Sequence, residues 1–291
     1  MLLKKLFYKA FVGGEWMIGY RHKNDAPMHY QFAQNNLQKG QWVADPFLFE
    51  ADGKHYLFCE QYETELNRAG IGYYVFEDGV PVNKGIVIRR PYHMSYPCVF
   101  AYGDEIYMIP ETSANKTVEL YRAVKFPDQW ELDTVLLQDV QYVDSTVYQA
   151  EKELYLLSYT KKNNGWALVV FKLDMQSKKL SAVSEKRYRT NVAKPAGSLL
   201  RTEQGLYRPA QDCSRKYGEA LYLYAVDKLD EEGFDEHCVE KHTIDGFVLP
   251  RKVHRIHTLN QDSSYEVVDV FREKIDLLHG WKIFKRMILK R

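Results

Sequence analysis

The 291-residue chain has only four cysteines, Cys59, Cys98, Cys213 and Cys238, and none belongs to a CxxC pair or a Cys/His cluster with zinc spacing. Zinc ribbons and fingers are thereby excluded. Cys59 and Cys98 fall inside apolar, strand-like runs, which suits reduced, buried thiols. No run approaches 18 apolar residues, so no transmembrane helix is expected. The opening stretch, MLLKKLFYKAFVGGEW, has no apolar segment of signal-peptide length, and the expected location is cytoplasmic. A large charge of either sign is missing too. The net charge is +1, which argues against a polyanion binder such as a nucleic-acid protein. There is no Gly-rich phosphate loop and no DxD motif, so neither a cofactor nor a metal is expected.

What the chain has in quantity is tyrosine, with 22 copies beside 14 Phe and 5 Trp. Aromatic residues favour strands and offer amphipathic rings for polar ligands to stack on. Five segments share one plan, a short strand from a polar or proline-marked position, a turn, and an aromatic return strand. They are ADPFLFEADGKHYLFCEQ, SYPCVFAYGDEIYMIPET, VDSTVYQAEKELYLLSYT, KPAGSLLRTEQGLYRPAQ and IHTLNQDSSYEVVDVF. Comparable positions are Asp45, Tyr96, Asp144, Pro195 and His257, separated by 51, 48, 51 and 62 residues. Further strand-like runs lie between these hairpins and make about four strands per unit. The expectation is an all-β, five-bladed β-propeller over residues 1–271, with the N-terminal segment supplying an outer strand that closes the last blade. A β-sandwich with accidental periodicity is the competing architecture.

In a propeller the first strand of each blade lines the channel and the second runs back, so the start of one and the end of the other share a rim. Asp45 then lies beside Glu60, Tyr96 beside Glu111, Asp144 beside Tyr159, and Pro195 beside Gln211 and Asp212. His257 joins from the fifth blade. With His93, Lys194 and Arg208, the rim mixes carboxylates, rings and cations, which suits a sugar or sugar phosphate. Structural roles compete at each position. Asp45 before Pro46 could be a turn residue, and Arg208 and Asp212 could simply pair with each other.

WVADPFLF, HMSYPCVF, IYMIPET, ELYRAVKFPDQW, YRPAQDCSRKYG and HTLN together resemble the propeller domain at the N-terminal side of plant glucosamine inositolphosphorylceramide transferases and their stand-alone bacterial relatives. That domain is similar in fold to family 43 glycoside hydrolases. The resemblance implies a general base at Asp45 and a pKa-modulating acid at Asp144. The general acid it implies on the fourth blade is missing, because NVAKPAGSLL has Lys194 and no Glu. Asp212, Glu60 and Glu111 are the substitutes, and Asp212 is taken as the third catalytic candidate. An inverting glycosidase needs that acid, whereas transfer with a phosphate leaving group can use cations such as Lys194, Arg208 or Arg215 instead.

Residues 272–291 carry seven Lys/Arg against two Asp/Glu, with Leu278, Trp281, Phe284 and Ile288 at helical spacing. A basic amphipathic helix is expected there, on an anionic membrane surface or packed on the propeller. Three functions remain open: glycosyl transfer in surface polysaccharide or glycolipid biosynthesis, a furanosidase-like hydrolysis, and a non-catalytic sugar-binding module that supports a partner transferase. The expected partners are a sugar, a sugar phosphate or a lipid-linked glycan, and the expected location extends to the inner membrane face.

Overall fold

The computed structural model describes residues 12–34, 36–150 and 153–275. The chain begins with β1 (Val12–His22) and β2 (Gln31–Phe32). Blade one is β3 (Gln41–Ala51), β4 (Lys54–Glu63), β5 (Arg68–Glu77) and β6 (Val80–Ile88). Blade two is β7 (Ser95–Tyr102), β8 (Glu105–Thr112), β9 (Thr117–Lys125) and β10 (Gln129–Gln138). Blade three is β11 (Val143–Ala150), β12 (Glu153–Lys162), β13 (Gly165–Asp174) and β14 (Lys179–Tyr188). Blade four splits its inner strand into β15 (Lys194–Pro195) and β16 (Leu200–Thr202), then adds β17 (Gly205–Asp212), β18 (Ala220–Asp230) and β19 (Gly233–Thr243). β20 (Arg255–Gln261) and β21 (Tyr265–Ile275) open blade five, and β1 and β2 complete it in the order β2-β1-β21-β20. The N-terminal segment therefore closes the ring, with β1 and β21 in register from Val12↔Ile275 to His22↔Tyr265.

Strand character follows from where each strand sits. β4 is buried on both faces from Tyr56 to Gln61, because blades pack against it from either side, and its sequence is a near-continuous apolar run. The outer β14 alternates exposed and half-buried residues and is rich in Lys, Ser and Glu. Five apolar clusters fill the five seams. Phe58 meets Met108 and Tyr121 between blades one and two, and Ile109 meets Leu156 between two and three. Leu157 meets Phe234, Leu221 meets Val268, and Ile18 meets Leu57 across the remaining three. Each fully buried side chain of this size contributes roughly 1.5–3 kcal/mol, so the ring is held by its seams.

The only helical segments among the described residues are the short turns Ser113–Asn115 and Ile244–Gly246. The expected amphipathic helix is corrected at its start: residues 272–275 continue β21, so the strand crosses the anticipated 271/272 boundary. The physical reason is pairing, since β1 offers that stretch a full ladder. The rest of the expected helix, residues 276–291, lies outside the described residues.

Candidate functional site

Four inner strands carry a bulge at one equivalent place. Pairing slips between Ala44 and Phe47, Ser95 and Cys98, Val143 and Thr146, and Ile256 and Leu259. At three of these bulges the residue adopts a left-handed backbone, with φ of 50° at Asp45, 47° at Tyr96 and 48° at Asp144. In blade four Gly197 has φ 134°, and a Cβ there would lie 2.1 Å from Leu259 O. Non-glycine residues are uncommon in this region, and a bulge re-aims the side chain it carries. The strain is offset by carboxylates that take the freed backbone N–H groups. Asp269 accepts from Asp45 N at 2.8 Å, His257 N at 3.1 Å and Thr258 N at 2.9 Å. Glu111 accepts from Asp144 N at 3.3 Å. Neighbouring blades thus hold the two aspartates in place.

Two charge clusters result. In the first, His257 places Nε2 3.1 Å from Asp45 Oδ1 and Nδ1 2.7 Å from Asp269 Oδ1, as close ion pairs off the in-line hydrogen-bond direction. Burial favours the neutral imidazole, but Asp269 and Asp45 outweigh it and push the pKa up to about 10. Glu60 is buried beside them, and desolvation together with the Asp45 charge raises its carboxyl well above the usual range. Its partner is His93, whose Nε2 is 3.5 Å away. His93 Nδ1 accepts the Ala69 N–H at 3.1 Å, so Nε2 carries the proton of the neutral ring, and burial lowers the His93 pKa.

In the second cluster, Lys194 Nζ lies 2.6 Å from Asp144 Oδ2, and Gln211 Nε2 donates to the same oxygen at 2.7 Å and to Pro195 O at 2.8 Å. Desolvation raises Asp144 well above the ordinary range; Lys194 opposes this and Glu111 adds to it. Burial alone would raise Glu111 too, but hydrogen bonding with Asp144, the Lys194 charge and the Ser113 hydroxyl bring it down. The two carboxyls titrate as a pair, with Asp144 pushed up, Glu111 pulled down and the Lys194 charge acting on both. Burial disfavours the Lys194 charge, yet Asp144 and Glu111 hold its pKa above the ordinary lysine value.

Asp45, Glu60, Glu111, Asp144, Lys194, Gln211 and His257 thus come together, with His93 beside Glu60. Four expected residues do not join them. Arg208 is fully buried, with Nε and Nη2 on Glu236 at 2.7 and 2.6 Å and Nη1 on Ala193 O. It pairs with neither Asp212 nor the channel. Asp212 points to the other side of β17 from Gln211, where Lys241 Nζ is 2.7 Å away and Ser214 Oγ 2.6 Å. Tyr96 is fully buried, and its hydroxyl meets Thr146 Oγ1 at 2.8 Å and Gly197 N at 2.6 Å. It ties blades two, three and four together under the acids. Arg215 is exposed and pairs with Glu219.

Sequence reasoning missed Asp269, Trp16 and Tyr217. Trp16 on β1 packs on His257 with centroids 4.1 Å apart, and Tyr217 lies 4.9 Å from the same imidazole with 46% of its surface exposed. Gly218 permits this approach, since a Cβ there would meet Trp16 at 2.8 Å. Trp42 and Tyr62 stack at 4.5 Å on blade one, and Tyr62 also approaches His93. Asp45, His257 and Asp269 hold potential ligand atoms within 4.8 Å of one another. With both ring nitrogens facing carboxylates and its pKa near 10, His257 keeps a proton at neutral pH where a cation would need a free lone pair.

A ring of five four-stranded blades around a buried, carboxylate-rich channel end defines a five-bladed β-propeller. A thermostable family-43 glycoside hydrolase superposes with a TM-score of 0.59 at 11% identity, covering 84% of this chain and 92% of that one. The catalytic domain of the Coprinopsis cinerea GH62 α-L-arabinofuranosidase does so with 0.58 at 12%, over 87% and 97%. At such identities the likeness is one of fold. The chain belongs to the family described as glucosamine inositolphosphorylceramide transferase 1, N-terminal, which matches residues 29–246. It is 34% identical over 205 residues to glucosamine inositolphosphorylceramide transferase 1 of Oryza sativa subsp. indica, and 30% identical over 207 residues to that of Arabidopsis thaliana. Each match covers 67% of this chain but 27% of the relative, so the chain spans about a quarter of these relatives' length.

Proposed function

We propose that the chain is a carbohydrate-active propeller that binds a sugar, sugar phosphate or lipid-linked glycan over Asp45 and takes part in glycosyl transfer for surface polysaccharide or glycolipid biosynthesis, at the cytoplasmic face of a membrane. The observation that carries this reading is the Lys194–Asp144 contact at 2.6 Å. A fixed ammonium occupies the blade-four position where hydrolysis would want an acid, and an ammonium stabilises a departing oxyanion such as phosphate. Asp45, clamped by Asp269 and His257, is the group to accept the proton of an attacking hydroxyl.

Two other readings each have one supporting observation. Burial and the Asp45 charge raise the Glu60 carboxyl well above the usual range, the direction that suits the acid of a furanosidase-like hydrolase. The matched family is described as the N-terminal part of a transferase, which favours a sugar-binding module that supports a partner transferase. A thermal-shift screen against nucleotide sugars, sugar phosphates and lipid-linked sugars tests the main reading. Stabilisation is expected in wild type and is expected to disappear in Asp45→Asn and Lys194→Met. If both variants respond like wild type, or no sugar compound binds, the reading is wrong. Steady turnover of aryl glycofuranosides that Glu60→Gln abolishes would instead establish the hydrolase.

A further inference from the structure

We propose that the rim of blade three carries a second sugar-ring subsite, joined to the channel through Ser113. The inference rests on the sugar-binding reading above. A cleft of about 270 Å³ is lined by Ser113, Gln141, Val143, Thr160, Lys161 and Trp166. Drug-sized ligands occupy roughly 300–1,000 Å³, so this space suits one ring and not an extended chain. Val143 immediately precedes Asp144 on β11, and Thr160 lies on the facing strand β12. The cleft therefore opens on the same rim as the channel acids.

Its lining is amphipathic in the way a sugar requires. The half-buried indole of Trp166 is braced by Tyr159, with the rings parallel within 2° and centroids 5.4 Å apart. The Lys161 ammonium stands 6.0 Å from the indole centroid, and none of the salt bridges among the described residues involves it. Thr160 donates its hydroxyl proton to Gln141 O at 3.0 Å, and Ser113 donates to Glu111 Oε1 at 2.6 Å. Both hydroxyl oxygens keep lone pairs for a ligand. The cleft thus offers two acceptor oxygens, an ammonium and a carboxamide beside an indole and a Val side chain. A sugar ring presents hydroxyls at its edge and C–H groups on its face, and satisfies both halves. An acyl chain would leave the polar groups without partners.

The link to the channel is short. Ser113 holds one oxygen of Glu111, and the other accepts the N–H of Asp144. An oligosaccharide spanning both would set one ring over Asp45 and Lys194 and the next against Trp166.

The test is a glycan array of neutral, amino and acidic mono-, di- and trisaccharides, probed with wild type, Asp45→Asn and the double variant Gln141→Ala/Lys161→Ala, whose changes are both at exposed positions. Wild type is expected to bind at least one di- or trisaccharide tenfold more tightly than its component monosaccharide. The double variant is expected to lose that advantage while keeping monosaccharide affinity, and Asp45→Asn to weaken both. The Trp166 indole N–H resonance, assigned with Trp166→Phe, is expected to move on adding the preferred oligosaccharide and to stay in place with the monosaccharide. If wild type binds mono- and oligosaccharides equally, or the double variant keeps the preference, the subsite is overturned and the channel reading survives. If no glycan binds wild type, the channel reading falls and takes the subsite with it.

Discussion

Protonation at individual residues sets how this site responds to pH. His257 has a folded-state pKa of about 10 against an ordinary 6.5, so its stabilising contribution is full below pH 6.5 and is lost as pH rises through 10. Stability from urea denaturation measured from pH 6 to 10.5 should fall by on the order of a few kcal/mol between pH 6.5 and about 10, and His257→Gln should flatten that decline. Glu60 acts in the same pH direction but for a different reason. Its raised pKa means that the fold retains a proton the unfolded chain gives up near pH 4.5, so stability declines with pH from there upward. Glu60→Gln mimics the protonated form and should raise stability at pH 8 on the order of 1 kcal/mol, read by the same titration. Asp45 and Glu60 are legible in the sequence because a carboxylate in an apolar strand needs a partner. Asp269, in EVVDVF, gives that same signal. It escapes a search by repeat position because it comes one residue before Val270, the partner of Ile256 in the register that pairs Ala44 with Glu60.

At the level of the strand, the repeated bulge is the device that builds the site. The repeat spacing reveals the equivalent positions, but it does not say which way a side chain turns. Tyr96 occupies the same place as Asp45 and Asp144, yet it becomes a tether because its ring fits over Phe47, with centroids 4.7 Å apart. Tyr96→Phe leaves the Gly197 N–H without its partner and should cost about 1–3 kcal/mol in urea denaturation. Arg208 was unreadable for a related reason. Its partner Glu236 lies 28 residues away on β19, and only the sheet brings them together. Arg208→Ala strands a buried carboxylate and should cost about 3–5 kcal/mol, while the paired change Arg208→Met/Glu236→Leu should cost much less.

Across the whole molecule, ring closure couples stability to the site, because the closing strand β1 also carries Trp16 onto His257. A chain lacking residues 1–34 should lose cooperative unfolding by circular dichroism and elute as aggregate in size-exclusion chromatography, since the long edge of β21 is then bare. The blade count was legible from five spaced hairpins, and closure from the strand-like GEWMIGYRH. The full ladder to Ile275 was not, because a basic, apolar stretch reads equally well as helix or strand until its partner is known.

That same ladder has a consequence for synthesis. A ribosome makes β21 only some 250 residues after β1, at about 5–20 residues per second. For that interval β1 has only the short β2 beside it, and the blades made meanwhile wait as an open arc. Emergence of β20 and β21 is then the event that shuts the ring and, in the same step, brings Asp269 to the Asp45 amide and finishes the site.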